Sequence, residues 1–386
     1  FNSPDIYKVF DNTRDVNRDL IIDYAAKNES NYKESLIESF ASGKGPDIFF
    51  ITPDMVQKFS DYVYIIPYAS YPEKAFRDAF IDGADAYLGQ EGIVGFPIVT
   101  DPMVMYYNKD IIANEGVVSP PVYWDELFNL GSKLTKKKND GTILQSMIAL
   151  GRYENITHAK DILATLLLQG NNPIIKRTLT GGYTSTINDT SGDGTSSFEP
   201  ILNFYTGFSN PSDSAYTWNR ALPESIDSFT GGKLAFYLGR ASELFKIQSV
   251  NPNLSFDVTS IPQIKNSATK RTYGEIYAVA VNKKAVDLAT TLGVASLIST
   301  GDVAKNFAAA VSLPPASKAL LAERPTDPYL YTFFNSTIIS RTWLDPDDTL
   351  SNKVFSELIE NIVSNKLEVD SAISKAQLQL NFIIKK

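Results

Sequence analysis

The sequence predicts an α/β protein built from two lobes, and three observations carry that reading. At 386 residues the chain exceeds one ordinary domain, so two lobes are expected. The stretch from Gly95 to Asp110, GFPIVTDPMVMYYNKD, opens with a turn at Gly95 and Pro97 and then runs through Met103, Val104, Met105, Tyr106 and Tyr107 without a charge. A run so apolar reads as a strand buried on both faces. Asn108, Lys109 and Asp110 break it, and the sequence after them changes to amphipathic helices with polar loops. The run is therefore a strand that leaves one lobe and enters another, with the polar pair Thr100 and Asp101 near the boundary.

Composition narrows the function. Hydrophobic residues make up 43% of the chain, enough for an ample core, and no uninterrupted apolar segment is long enough to cross a bilayer. The formal charge of -8 repels a polyanion on average, and no nucleic-acid-binding motif is present, so nucleic acid is not expected as a partner. With no cysteine there is no disulfide, thiolate catalysis or cysteine metal site, and the single histidine, His158, excludes a histidine-rich metal centre. Phe1 begins mid-domain, which fits a signal peptide or lipid-anchoring cysteine removed upstream.

Taken in order, Ile6 to Phe10 alternates like a first strand and FDNTRD follows as a polar loop. From there Asp11, Asn12 and Thr13 either reach a ligand or form an Asx-type helix cap. A helix is expected through Leu20, Ile21 and Tyr24. Asn31 with Glu34 has the form of a capping box, and Tyr32, Leu36, Ile37 and Phe40 share a helical face. Gly43 and Gly45 end that helix and PDIFFI is a buried strand. Thr52 and Pro53 look like the N-cap and first residue of the next helix, which places Asp54 in a first turn where the helix dipole favours a carboxylate.

Beyond the long strand, Trp124, Leu127, Phe128, Gly131 and Leu134 share a helical face, with Trp124 in the core. KKKNDGT is a solvated turn. ILQSMIAL reads as a strand ending at GRYEN, where Tyr153 and Asn155 either face a cleft or belong to an ordinary strand-to-helix loop. His158 opens the next helix in a structural role. The glycine-rich segment GGYTSTINDTSGDGTSS holds the start of a calcium loop. Counted from Asp189, however, its twelfth position is Pro200 where a bidentate Glu is required, so no metal is expected. Trp218 lies in the polar loop SDSAYTWNRALPES, either as an exposed stacking ring or as a lid on the core, and GGKLAFYLG is a strand. The chain returns to the first lobe over Leu254 to Pro262, adds a strand from Tyr273 to Asn282, and crosses again at SLPPAS. The remainder is helical, and Trp343, beside Asp345 and Pro346, is its best aromatic candidate.

The pattern GFP, two residues, TD, an apolar run and YYNKD, followed by PPVYWDEL, closely resembles the extracellular solute-binding proteins of ABC importers, specifically the sugar-binding family that includes maltose-binding protein. NYKESLIESFASGKGPDIFF upstream, and SFTGGKLAFYLG and TYGEIYAVAVNKKA downstream, fall in that family's order, so the resemblance covers nearly the whole chain. It implies the type II periplasmic-binding-protein fold, two lobes joined by a hinge with a ligand cleft between them: 1–108 with 252–314, and 109–251 with 315–386. It also implies a second strand before Asn31, for which Ala25 to Ser30 is too short. Asp54, Thr100 and Asp101 match positions that accept hydrogen bonds from sugar, and Tyr273, Gly274, Glu275 and Tyr277 match the cleft lining. Arg240 matches the position after which maltose-type proteins place a stacking tryptophan. Here the next residue is Ala241, which argues against a long maltodextrin.

The expected function is the extracytoplasmic binding component of an ABC transporter, presenting a small-molecule ligand, a sugar or oligosaccharide, to permease subunits. No cofactor and no reaction are expected, the protein acts as a monomer, and any membrane contact runs through a removed lipid anchor. The same fold binding a peptide, polyamine, anion or iron complex is the alternative. A glycosidase using Asp54 and Asp101 as a carboxylate pair is a further one.

Overall fold

The computed structural model describes residues 1, 3–16, 18, 20–190 and 197–385. The chain divides into two compact units, Phe1–Asp101 with Glu275–Ile338, and Pro102–Gly274 with Ile339–Lys386. These boundaries differ from the ones expected at 108, 251 and 314, and strand pairing gives the reason. The strand Phe256–Ser260 runs antiparallel to residues 104–108, from Phe256 opposite Asn108 to Ser260 opposite Val104, so it belongs to the second unit. The SLPPAS segment stays with the first unit through bridges from Pro315 to Val99 and from Ser317 to Phe80. Past Ile338 the short strand Ser340–Arg341 pairs parallel with Thr272 and Tyr273 in the second unit.

In the first unit, Ile48–Ile51 runs antiparallel to residues 278–281. The Tyr87 hydroxyl ties this pair together by donating to the carbonyls of Ile51 and Ile276. The expected first strand is instead the helix Pro4–Asp11, started by Ser3, whose side chain accepts from the Asp5 N–H, with Pro4 at the first position. Ile6, Val9 and Phe10 are the buried residues, and that spacing is helical rather than alternating. Residues 20–28 are irregular, so the helix expected through Leu20, Ile21 and Tyr24 does not form, nor does a strand before Asn31. Asn31 precedes the helix Tyr32–Ala41 as expected but makes no side-chain cap bond.

The second unit carries a sheet in the order Phe256–Ser260, residues 102–108 of the long strand Phe96–Asn108, Leu234–Arg240, Ile143–Ile148, Lys136–Lys137. All of its neighbouring pairs are antiparallel except Leu234–Arg240 with Ile143–Ile148, which is parallel. Burial of nearly every side chain of Phe96–Asn108 explains its uninterrupted apolar run. Asn108 then ends the strand and caps the helix Lys109–Asn114, accepting from the N–H groups of Asp110 and Ile111. Trp124 is buried as expected and donates from Nε1 to Gln169 Oε1 at 2.7 Å. The helix Ala159–Gln169 is buried along its whole length, and Asp348–Val363 packs against Val369–Ile384.

Candidate functional site

A cavity of about 450 Å³ opens in the second unit. Its wall is built by the loop 151–158, the first turn of Ala159–Gln169, the end of Leu234–Arg240 and the start of Asp348–Val363. Gly151 starts the loop at φ 90°, and a Cβ there would stand 2.6 Å from the backbone nitrogen of Ser209, so only glycine lets the chain turn at this point. Two residues on, Tyr153 lines the cavity and its hydroxyl donates to Asn352 Oδ1 at 2.5 Å. Burial first, then the carboxylates of Asp161, Asp348 and Asp345, hold that phenol well above its ordinary pKa, so it stays a donor. Glu154 also lines the cavity, exposed and without a hydrogen bond or ion pair among the described residues.

The charges at the base of the cavity form two groups. In the first, Arg240 donates from Nε and Nη2 to Asp161 Oδ2 at 2.9 and 2.7 Å. His158 stands with Nδ1 3.3 Å from the same oxygen and Nε2 3.1 Å from Glu243 Oε2. The second of these is an ion-pairing distance whose N–H direction falls short of an aligned hydrogen bond. Burial pushes the Asp161 carboxyl up, but Arg240 and then His158 outweigh it and hold it well below the carboxylate range. Burial likewise opposes charge on the imidazole, and Asp161 and Glu243 overcome it to push His158 up to about 9.

In the second group the buried ammonium of Lys160 lies 2.7 Å from Asp345 Oδ2, 2.5 Å from Asp348 Oδ1 and 3.1 Å from Ser351 Oγ. It also lies 5.9 Å from the centre of the Trp343 ring. Burial works against its charge, but the two carboxylates hold its pKa above the ordinary value. His158, Lys160 and Arg240 are thus each matched by a carboxylate, and along the cavity wall itself these three face three carboxylates, Glu154, Asp161 and Asp348. The wall sets donors and acceptors side by side, which suits a ligand presenting several hydroxyl groups.

Of the residues singled out in the sequence, Tyr153 and Arg240 line this cavity. Asn155 does not: its amide donates to the carbonyls of Asn219 and Leu222, and its Oδ1 accepts from Trp218 Nε1, which makes it a clasp on the 218–222 loop. Trp218 is fully buried and Trp343 is 3% exposed, packed edge-on against Phe355, so neither ring is open for stacking. Tyr273 is buried too, 5.9 Å from the Arg240 guanidinium. In the first unit, Asp11 ends a helix and Asn12 caps it, both exposed, rather than lying on a loop after a strand. Asp54 sits one step earlier than expected, at the N-cap of Met55–Lys58, where it pairs with Lys33 and accepts from the Thr52 hydroxyl. Thr100 and Asp101 are buried, and the Thr100 hydroxyl has no hydrogen-bond partner among the described residues. Glu275 begins the first unit's second segment.

Sequence reasoning missed Glu154, Asp348, Asn352 and Ser356. The last three recur every four residues on the helix Asp348–Val363, along the edge of the face that buries Val354, Phe355, Leu358 and Ile359. That polar stripe was the available signal.

A family model described as bacterial extracellular solute-binding protein matches residues 17–329. The chain belongs to the bacterial extracellular solute-binding protein family. A binding protein of Brucella abortus is 22% identical over 374 residues, covering 92% of this chain and 83% of that protein. Among solved structures, this solute-binding protein is similar to the sugar-binding protein MalE from Xanthomonas citri, with TM-score 0.77 at 14% identity, over 98% of this chain and 94% of the other. It is also similar to a cyclo/maltodextrin-binding protein complexed with maltotetraose, with TM-score 0.75 at 14% identity, over 99% and 94%. An ABC substrate-binding protein from Listeria monocytogenes in complex with cycloalternan gives TM-score 0.70 at 18% identity, over 98% and 96%. These solute-binding proteins share the type II periplasmic-binding-protein fold with this chain. No helix among the described residues is long and apolar enough to cross a membrane.

Proposed function

We propose that this solute-binding protein captures a sugar or oligosaccharide outside the cytoplasm and delivers it to the permease of an ABC importer. The observation that carries the reading is the polar cavity of the second unit, where donors and acceptors stand side by side. Its volume, about 450 Å³, lies in the range of small-molecule sites. Glu154 offers a carboxylate with no other partner among the described residues, and Tyr153 and Asn352 add a neutral donor and amide. Carbohydrate ligands in three of the similar solved structures, maltotetraose, cycloalternan and acarbose, support the choice of ligand class.

Recognition in this reading rests on hydrogen bonds to hydroxyls, because the two tryptophans proposed for stacking lie in the core. Asp54, Thr100, Asp101 and Glu275 remain proposed ligand residues of the first unit. The protein acts as a monomer and binds without cleaving. A thermal-shift screen against mono- and oligosaccharides tests the proposal. Binding to the folded state raises Tm by an amount set by ligand concentration over Kd, so at least one sugar should give a saturable upward shift. A panel in which only peptides, polyamines or iron complexes shift Tm sinks it. Sugars incubated with the protein should be recovered intact by chromatography, and the hinge implied by the resemblance predicts a smaller radius of gyration at saturating sugar.

A further inference from the structure

His158 is the only histidine in the chain, and nothing in the binding scheme above uses it. Its backbone sits in the left-handed region at φ 62° and ψ 27°, immediately before the helix Ala159–Gln169. A side chain other than glycine holds that conformation only where its surroundings impose it. Here they do, because a carboxylate stands at each ring nitrogen: Asp161 at Nδ1, 3.3 Å, and Glu243 at Nε2, 3.1 Å. A neutral imidazole has one N–H, so one of the two carboxylates would then face a lone pair; only the imidazolium sets positive charge between both at ion-pairing distance.

The contacts close into a loop. Glu243 Oε2 also accepts from the backbone N–H of Arg240 at 3.0 Å and from the Tyr237 hydroxyl at 2.8 Å, while the Arg240 side chain returns to Asp161. We propose that His158 is a positioning residue for the cavity: as an imidazolium it ties the start of the helix Ala159–Gln169 to the turn after Leu234–Arg240 and so fixes the Asp161–Arg240 pair at the wall. The proposal rests on the sugar-binding reading above for its effect on affinity, but the protonation of the ring does not depend on it.

Other charged and ionisable groups also face this corner. Arg240 opposes the proton on His158, and Lys160 is held charged by Asp345 and Asp348. The phenols of Tyr153 and Tyr237 are pushed up chiefly by burial. Glu154 and Asp348 complete the facing charges.

Because the ring is unique, labelling the histidine imidazole gives one resonance set that reports it alone. The test is NMR titration of the free protein, followed by calorimetric titration of the best sugar from the screen across pH 6–10, in the parent and in His158→Asn. Asn tolerates the left-handed backbone while removing the ring and its charge. The free ring should titrate at about 9. The parent's affinity should fall as pH rises through about 9, and His158→Asn should bind about tenfold more weakly at pH 7 with a flat profile, the loss expected for one charge-assisted contact. Glu243→Gln, which removes one of the two carboxylates, should lower the titration midpoint even if His158→Asn folds poorly. A ring titrating near 6.5, or a His158→Asn protein with the parent's affinity and pH profile, overturns the proposal. A screen with no sugar binding defeats the sugar reading, while the NMR titration still decides whether the ring is held as an imidazolium.

Discussion

Glu154 is the residue whose role is easiest to isolate, since it has no other partner to disturb among the described residues. If it accepts from a ligand hydroxyl, Glu154→Gln removes a charge-assisted bond worth about 1.5–3 kcal/mol. Calorimetric titration should then show sugar affinity ten- to a hundredfold weaker with Tm unchanged. Trp343→Ala should behave in the opposite way: its ring is core, so the substitution should cost about 3–5 kcal/mol of stability by denaturant titration. At this scale the sequence was only partly legible. Tyr153 and Arg240 could be read from their loop and strand end, but an aromatic in a polar loop looks alike whether it faces solvent or, as with Trp218 and Trp343, turns into the core. Glu154 lay between two residues that were singled out and was passed over for having no motif of its own.

Elements were more legible where burial was two-sided. The run 103–107 and its stop at Asn108 predicted the strand and its end but not the cap that Asn108 makes, and Asn108→Ala should destabilise by about 1 kcal/mol, since two helical N–H groups lose their acceptor. The first element failed because five residues, Ile6 to Phe10, fit both periods, and the decisive Ser3–Pro4 start lay just upstream. The helices Ala159–Gln169 and Asp348–Val363 are joined by the buried Lys160 between Asp345 and Asp348. Lys160→Met removes one partner of a buried ion pair with the 5%-exposed Asp345, so a loss of about 3–5 kcal/mol is expected by denaturant titration.

The same network sets a pH window. Asp161 has a depressed pKa, so its stabilisation is present above the unfolded value near 3.9 and lost as pH falls below it. His158 has a raised pKa, so its stabilisation is complete below about 6.5 and lost as pH rises through about 9. Scanning calorimetry should show Tm declining on both sides of that interval, and His158→Asn should flatten the alkaline side alone.

At the scale of the whole molecule, the order of four motifs along the chain carried the family, and the fold followed. The unit boundaries did not follow, because they depend on which strand Phe256–Ser260 joins and where the chain leaves Ile338, and these are long-range pairings that no local pattern encodes. The central claim is capture of a carbohydrate without chemistry on it. Titration calorimetry of the parent protein against a panel of neutral mono- and oligosaccharides tests it most directly. One-to-one binding of at least one sugar, micromolar or tighter, is expected, weakened by Glu154→Gln and followed by recovery of that sugar intact. Heats absent for every sugar, or a bound sugar returned as cleavage products, would contradict it.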